Sequence, residues 1–249
     1  MEIKIGTCGF PVARKKLFQA VDVIEVQQIF YRFPKKETVR KWREEAPNGF
    51  EFTLKAPQLI THPPSSPTYR KAGLEIPENI RDKLGYFRPT REVFEAWDRT
   101  LEYAALLHVE IIIFQTPASF RPTRENIANM TEFFKEIPRA GLILGWEPRG
   151  NWDDETILDI CARLDLVHVV DPFKNRSVYG EIAYYRLHGL GKGYRWDYSD
   201  EELEILYGEL MDDRPNYVLF NNTNMFQDAV QFKELIRKKQ VTDLKLDVP

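Results

Sequence analysis

Eight short apolar runs, each ending in a polar or charged residue, alternate with helix-like stretches from one end of this chain to the other. The runs cover residues 3–6, 23–26, 51–55, 111–115, 142–147, 167–171, 184–188 and 217–221. Their endings read Thr7-Cys8-Gly9, Glu25-Val26-Gln27, Lys55, Gln115, Glu147, Asp171, Arg186-Leu187-His188 and Asn221-Asn222. Strands alternating with helices at this spacing predict a parallel sheet, because parallel neighbours need a crossover. Eight such units predict an α/β fold closed as a (β/α)8, TIM-barrel-like ring. In such a ring the strand tips form the floor of the active site. An open doubly wound sheet would want a glycine-rich phosphate turn after the first strand, and Gly6-Thr7-Cys8-Gly9 is a poor match.

Helical periodicity covers residues 15–20, 36–45, 91–107, 124–136, 153–163, 199–211 and 226–239. Several helix starts are marked. Thr123 precedes Asn126, Asp153 precedes an acidic turn, and Ser199-Asp200-Glu201-Glu202 reads as a capping box. Residues 1–249 form one predicted domain, close to the ~250 residues such a barrel takes. Two connections depart from the pattern. Residues 56–90 carry six prolines together with His62, Tyr69, Arg70 and Lys71, a long loop after strand three that reads as a lid. Residues 172–181 show no helical face, so the unit after strand six is expected to be irregular.

Composition excludes several classes. No apolar stretch approaches the ~20 residues of a membrane span. The start, Met1-Glu2-Ile3-Lys4-Ile5, is already strand-like and lacks the layout of a secretion signal. Cys8 and Cys161 lie far apart, so a reducing cytoplasm is expected rather than a disulfide framework. A net charge of −3 argues against gripping long nucleic acid by bulk charge. The 29% of charged residues, mixed in sign, also suits the ion-pair networks of thermophiles.

Strand side chains alternate, and helix-facing positions should be apolar. Ile24, Val26, Phe52 and Leu54 therefore face helices, turning Glu25, Gln27, Thr53 and Lys55 inward. The same phase points Gln115, Glu147, Asp171, Arg186, His188 and Asn221 into the barrel mouth and puts His168 on the other face. Charges left unpaired in a dry interior would cost several kcal/mol. They must pair with one another as a brace, stay wet, or meet a ligand.

The favoured reading is acid–base catalysis on a polar small molecule, anionic or sugar-containing. Glu25, Glu147, Asp171 and His188 are the candidate catalytic groups. Substrate would be held by Lys55, His62, Gln115, Arg149, Arg186, Asn221, Asn222, Tyr31 and Tyr194. No cofactor is identified. A divalent metal, if one is bound, would sit on Glu147, Asp171 and His188, although Arg149 and Arg186 compete for those carboxylates. A Schiff base on Lys55 would need a depressed pKa, which neighbouring carboxylates oppose. Cys8 reads as a buried thiol and Cys161 as core. The aromatic residues Phe30, Tyr31, Trp152, Tyr194, Trp196 and Tyr198 follow strand tips and could stack on a ring. Residues 188–194 form a glycine-rich loop that reads as a phosphate-binding turn or a hinge. Nucleic-acid processing or binding is the second reading, and a non-catalytic ligand-binding barrel the third.

Taken in order, Gly6-Thr7-Cys8-Gly9, Glu25…Phe30-Tyr31, Phe52-Thr53-Leu54-Lys55-Ala56, Ile60-Thr61-His62, Gln115-Thr116-Pro117-Ala118-Ser119-Phe120, Glu147-Pro148-Arg149…Trp152, Asp171-Pro172, Tyr185-Arg186-Leu187-His188-Gly189 and Phe220-Asn221-Asn222 resemble the YecE-like family, known as domain of unknown function 72. The resemblance spans nearly the whole chain and implies a TIM-barrel-like fold. It brings no activity with it. Cys8 stands where that family usually has serine, and Gln27-Gln28-Ile29 replaces its usual Asn-Ser-Thr. A mechanism needing a hydroxyl at position 8 is thereby disfavoured.

Overall fold

Residues 2–191 and 193–246 are described by a computed structural model. The strands are β1 (Ile3–Cys8), β2 (Val23–Val26), β3 (Glu51–Lys55), β4 (Ile111–Gln115), β5 (Ile143–Glu147), β6 (Val167–His168), β7 (Ala183–Leu187) and β8 (Asn216–Phe220). All pairings are parallel, in the order β6-β5-β4-β3-β2-β1-β8-β7. Val170 bridges to Tyr185 and joins the two ends. There the Arg186 N–H donates to the Val170 carbonyl at 2.8 Å, and the Val170 N–H donates to the Tyr184 carbonyl at 3.2 Å. The eightfold alternation does close into a barrel.

The sixth strand is shorter than its apolar run. Val167 and His168 pair with β5, whereas Val170 pairs with β7. The chain changes partner midway to span the last gap, and Pro172, which has no N–H, ends it. Residues 172–181 then run without a helix, as their pattern predicts.

The helices are α1 (Arg14–Ala20), α2 (Gln28–Tyr31), α3 (Lys36–Glu45), α4 (Gln58–Thr61), α5 (Pro67–Lys71), α6 (Arg91–Leu107), α7 (Arg124–Glu136), α8 (Asp154–Leu164), α9 (Asp200–Gly208) and α10 (Met225–Leu246). Side-chain caps start α7 and α8: Thr123 accepts from the Asn126 N–H and Asp153 from that of Thr156. Ser199 and Glu202 form the expected capping box on α9. None of the described helices is long and apolar enough to cross a membrane.

Alternation divides the buried side chains into two cores. Ile24, Val26, Leu54, Ile112, Phe114 and Trp146 pack outward against helices. Cys8, Val23, Ile111, Ile113, Val169, Tyr184 and Leu219 fill the barrel interior. The long connection after β3 is a folded cap: α4, α5 and a 3₁₀ turn at Glu78–Lys83. Tyr69 Oη donates to the His62 carbonyl at 3.0 Å, and Arg32 Nη2 donates to those of Ala72 and Gly73 at 3.2 and 3.0 Å. These bonds hold α5 beside the barrel mouth.

Gly6 marks a close approach of β1 and β2, where a Cβ would lie 1.9 Å from the Val23 carbonyl oxygen. Gly6→Ala is expected to lower the unfolding free energy by about 1–3 kcal/mol or more, the cost of overpacking, read as a lower denaturant midpoint. Gly208→Ala, where a Cβ meets nothing within 4 Å, should be neutral or stabilising by up to about 1 kcal/mol. Equal losses at both positions would show that the close approach is not the cause.

Candidate functional site

At the C-terminal end of the barrel β7 brings Tyr184 and Arg186, two residues apart, onto its inward face. Arg186 has 0% exposure. Its Nε and Nη2 donate to Glu25 Oε2 and Oε1 at 2.9 and 2.8 Å, a bidentate pair, and its Nη1 donates to Glu147 Oε2. Glu25 is further satisfied by Tyr184 Oη at 3.1 Å and Gln27 Nε2 at 3.1 Å. Thr53 Oγ1 lies 2.7 Å from Tyr184 Oη. Arg149 Nε sits 2.8 Å from Glu147 Oε1, and its Nη2 donates to His188 Nε2. Two carboxylates thus face two guanidinium groups, and their charges cancel.

This arrangement sets the protonation states. Burial works to raise the Glu147 pKa, but Arg186 and Arg149 outweigh it and hold the group at about 2. Burial alone would lower the Arg186 pKa, but Glu147 and Glu25 lift it well above its ordinary value. Burial lowers the His188 pKa, opposed by Asp171, so its Nε2 stays available to accept from Arg149. His188 Nδ1 is 3.5 Å from Asp171 Oδ2. Asp171 is held below its ordinary value because its contacts with His188 and Lys174 overcome burial. Lys174 Nζ lies 3.2 Å from it.

Lys55 behaves differently. Its Nζ donates to Gln115 Oε1 and stands 3.8 Å from the Phe30 ring centroid. Among the described residues no carboxylate comes within 4.0 Å of it. Burial first, then Arg186, lower its pKa to about 7, against the pull of Glu25 and Glu147. The neighbouring carboxylates do pull it upward, as expected, but burial and then Arg186 outweigh them, so the net shift is downward.

Above Lys55 opens a cleft of about 770 Å³, lined by Gln27, Tyr31, Lys55, Pro67, Thr68, Arg70, Lys71, Gln115, Tyr194 and Asn221. That volume suits a small molecule, for which sites run about 300–1,000 Å³. Its lining holds three basic residues, Lys55, Arg70 and Lys71, and no Asp or Glu. Hollows of about 550 and 540 Å³ lie at the opposite, N-terminal end, beside the starts of β5 and β3, where barrel activity is not found.

The expected residues divide into three groups. Lys55, Gln115, Asn221, Tyr31 and Tyr194 line the cleft. Glu25, Glu147 and Arg186 form the buried cluster, with Arg149, His188 and Asp171 beside it. His62 and Asn222 face neither. His62 packs edge-on to Phe30 at 5.0 Å, its Nδ1 is 2.8 Å from Thr61 Oγ1, and burial, then Lys55, lower its pKa to about 3. Asn222 donates to the Trp196 carbonyl at 2.8 Å and to Asp228, holding the start of α10. Trp152 stacks on Phe120, and Tyr198 on Phe173. Gly189 packs under Trp196, where a Cβ would meet the Trp196 Cβ at 2.3 Å, while Lys192 of the same loop lies outside the described residues. His168 accepts from the Val178 N–H at 3.3 Å. Cys8 is buried inside the barrel, and burial raises its pKa.

Tyr184 and Lys174 were not expected. Tyr184 shares the face of Arg186 two residues on, so alternation could have found it. Lys174 lies in the irregular segment, which carries no periodic signal.

Glu147, Asp171 and His188 do not fit a divalent metal as placed. Both Glu147 oxygens face guanidinium groups, and His188 Nε2 accepts from a third nitrogen of those same arginines. Among the described residues no group of three or more His, Cys, Asp or Glu is disposed to hold an ion.

Residues 15–247 match the family described as Protein of unknown function DUF72, and the chain belongs to it. A DUF72 family protein from Enterococcus faecalis is similar in structure, with TM-score 0.69, 19% identity, and 95% of this chain and 98% of that one covered. Another, from Thermotoga maritima, gives TM-score 0.66 and 20% identity over 95% and 100%. A family 2 AP endonuclease from Brucella melitensis gives TM-score 0.58 and 12% identity over 94% and 97%. No curated protein matches the chain.

Arg186→Met should destabilise the fold by about 3–5 kcal/mol, because two buried carboxylates lose their cation. Adding Glu25→Gln and Glu147→Gln should restore most of the loss in urea titrations; no recovery would mean that charge burial is not the cause. A second expectation concerns pH. Because the folded pKa of Lys55 is depressed, the unfolded chain binds the extra proton between about pH 7 and its ordinary 10.5. Its burial cost is fully present below pH 7 and is relieved as pH rises through that window. The stability of the native chain relative to Lys55→Met should therefore climb across it, by up to about 1.4 kcal/mol per unit. A flat difference would contradict the depressed pKa.

Proposed function

We propose that this DUF72 member is an enzyme whose C-terminal cleft binds an anionic small molecule, with Lys55 as the proton-transfer group on its floor. The supporting observation is the lining: Lys55, Arg70 and Lys71 with no carboxylate among them. An anion entering that cleft meets only attraction, and its own charge would complete the electrostatic balance that the protein leaves open.

The acid–base role expected of Glu147 passes to Lys55 on energetic grounds. A carboxylate with a pKa of about 2 is a feeble base at neutral pH, whereas a group near 7 can both take and return a proton. Glu25 and Glu147 then hold Arg186 in place, and its field adds to burial in lowering the Lys55 pKa, so that the amine is about half uncharged at neutral pH. Gln27, Gln115 and Asn221 supply amides that can bind hydroxyl or carbonyl oxygens. Arg149, His188 and Asp171 stand alongside as a second polar set.

Nucleic-acid processing is the second reading, supported by Tyr31 and Tyr194 flanking the same cations. Such rings could hold a base. The likeness to an AP endonuclease rests on 12% identity and bears on the fold alone.

Thermal-shift titration with phosphorylated and carboxylated metabolites tests the proposal. At least one should raise the Tm of the native chain. The double variant Arg70→Ala/Lys71→Ala should weaken that binding about 10- to 100-fold, the loss of a charge-assisted contact or two. Its unliganded Tm should stay within about a degree or two, since both side chains are exposed. Equal binding to the double variant would sink the small-anion reading. Tight, steeply salt-dependent binding of oligonucleotides in place of metabolites would favour the second reading.

A further inference from the structure

We propose that Lys55 Nζ is an amine nucleophile that captures the carbonyl carbon of the bound anion as an imine. The inference rests on the anion-binding reading above, gives Lys55 a covalent role in place of proton transfer, and names the substrate class: an aldehyde or ketone that also carries a phosphate or carboxylate.

Three observations carry it. Lys55 is only 6% exposed, yet it is part of the cleft lining, so a bound molecule would lie against a side chain that packing holds in place. Its contacts there are an amide oxygen and an aromatic ring, neither of which locks it as an ion pair. Arg70 and Lys71 line the same cleft and supply the positive charge that would hold an anionic tail. A lysine is activated as a nucleophile by desolvation or by a neighbouring cation. Lys55 has both, burial and Arg186, and these lower its pKa to about 7. Close to half of the molecules then carry the free amine at neutral pH, against roughly one in a few thousand for a solvated lysine.

The step balances with water and protons alone. The neutral amine adds to the carbonyl carbon, and the C=O π pair moves to oxygen. The nitrogen gives up a proton while the oxygen takes one, through water in the open cleft, leaving a neutral carbinolamine. The nitrogen lone pair then expels the hydroxyl, which takes one proton from solvent and departs as water. The product is a protonated imine. Nothing is oxidised or reduced, and the net change is one carbonyl and one proton consumed, one water released. The iminium cation makes the adjacent carbon more acidic, which suits aldol-type, decarboxylation or isomerisation chemistry.

Trapping with sodium borohydride tests the inference on the full chain. Pyruvate supplies a carboxylate and glyceraldehyde 3-phosphate a phosphate, and the two arms distinguish the sources of negative charge. Peptide mapping by mass spectrometry should place the reduced adduct at Lys55, formed at least tenfold faster than at Lys71 or any other lysine. Labelling should saturate with probe, slow in the presence of inorganic phosphate, and rise with pH to half its maximum near 7. Lys55→Gln should abolish the fast adduct while inorganic phosphate still raises its Tm. Labelling of Lys55 no faster than that of surface lysines, with both probes, overturns the imine step. If phosphate still protects the native chain but not Arg70→Ala/Lys71→Ala, the anion site survives that failure. Phosphate protection that ignores those two substitutions removes the anion reading as well.

Discussion

A guanidinium group with no contact with water persists only where carboxylates surround it, and Arg186 is such a group. Glu25 binds it side-on and Glu147 end-on, while Tyr184 and Gln27 satisfy what remains of Glu25. Breaking such a cluster costs far more than it gains over apolar packing of the same volume. Its presence therefore makes better sense as a device for setting a field than as a source of stability. The field acts on Lys55, which is close enough to feel Arg186 but pairs with neither acid. Four ionised groups cancel, and a fifth is left poised between its two protonation states.

The fold delivers these groups by a simple rule. Alternation along parallel strands puts every second side chain inside the ring, and the C-terminal tips converge. Residues at the tips of β2, β3, β5 and β7 meet although they are separated by up to 161 positions in sequence. The cap after β3 adds what strands cannot: Arg70 and Lys71, presented from outside the ring onto the same cleft.

Much of this was legible in the sequence. The alternation of apolar runs and helices carried the barrel, and the apolar phase of each strand carried the inward direction of Glu25, Lys55, Glu147 and Arg186. What alternation cannot carry is who pairs with whom. Whether Arg186 or Lys55 takes the carboxylates depends on side-chain reach across the ring. Glu25 and Glu147 do pull the Lys55 pKa upward, as their proximity implies, but the depth of burial, followed by Arg186, outweighs them, and that depth depends on the folded ring. His62 and Asn222 looked like site residues because their types are polar, yet both satisfy local partners: Thr61 for one, Trp196 and Asp228 for the other. The split of the sixth run was also hidden, since a change of pairing partner leaves no mark on hydrophobicity.

That split has a mechanical consequence. β8 shares five paired residues with each neighbour, whereas β6 shares two with β5 and a single bridge with β7. In this cask one stave is loosely hooped. Thermal breathing that would have to break two five-residue ladders at β8 needs only a few bonds there. Asp171 follows that stave directly, and His188 stands against it. The flank of the floor carrying the second polar set is thus the more yielding one, since β3, which carries Lys55, shares four paired residues with β2 and three with β4.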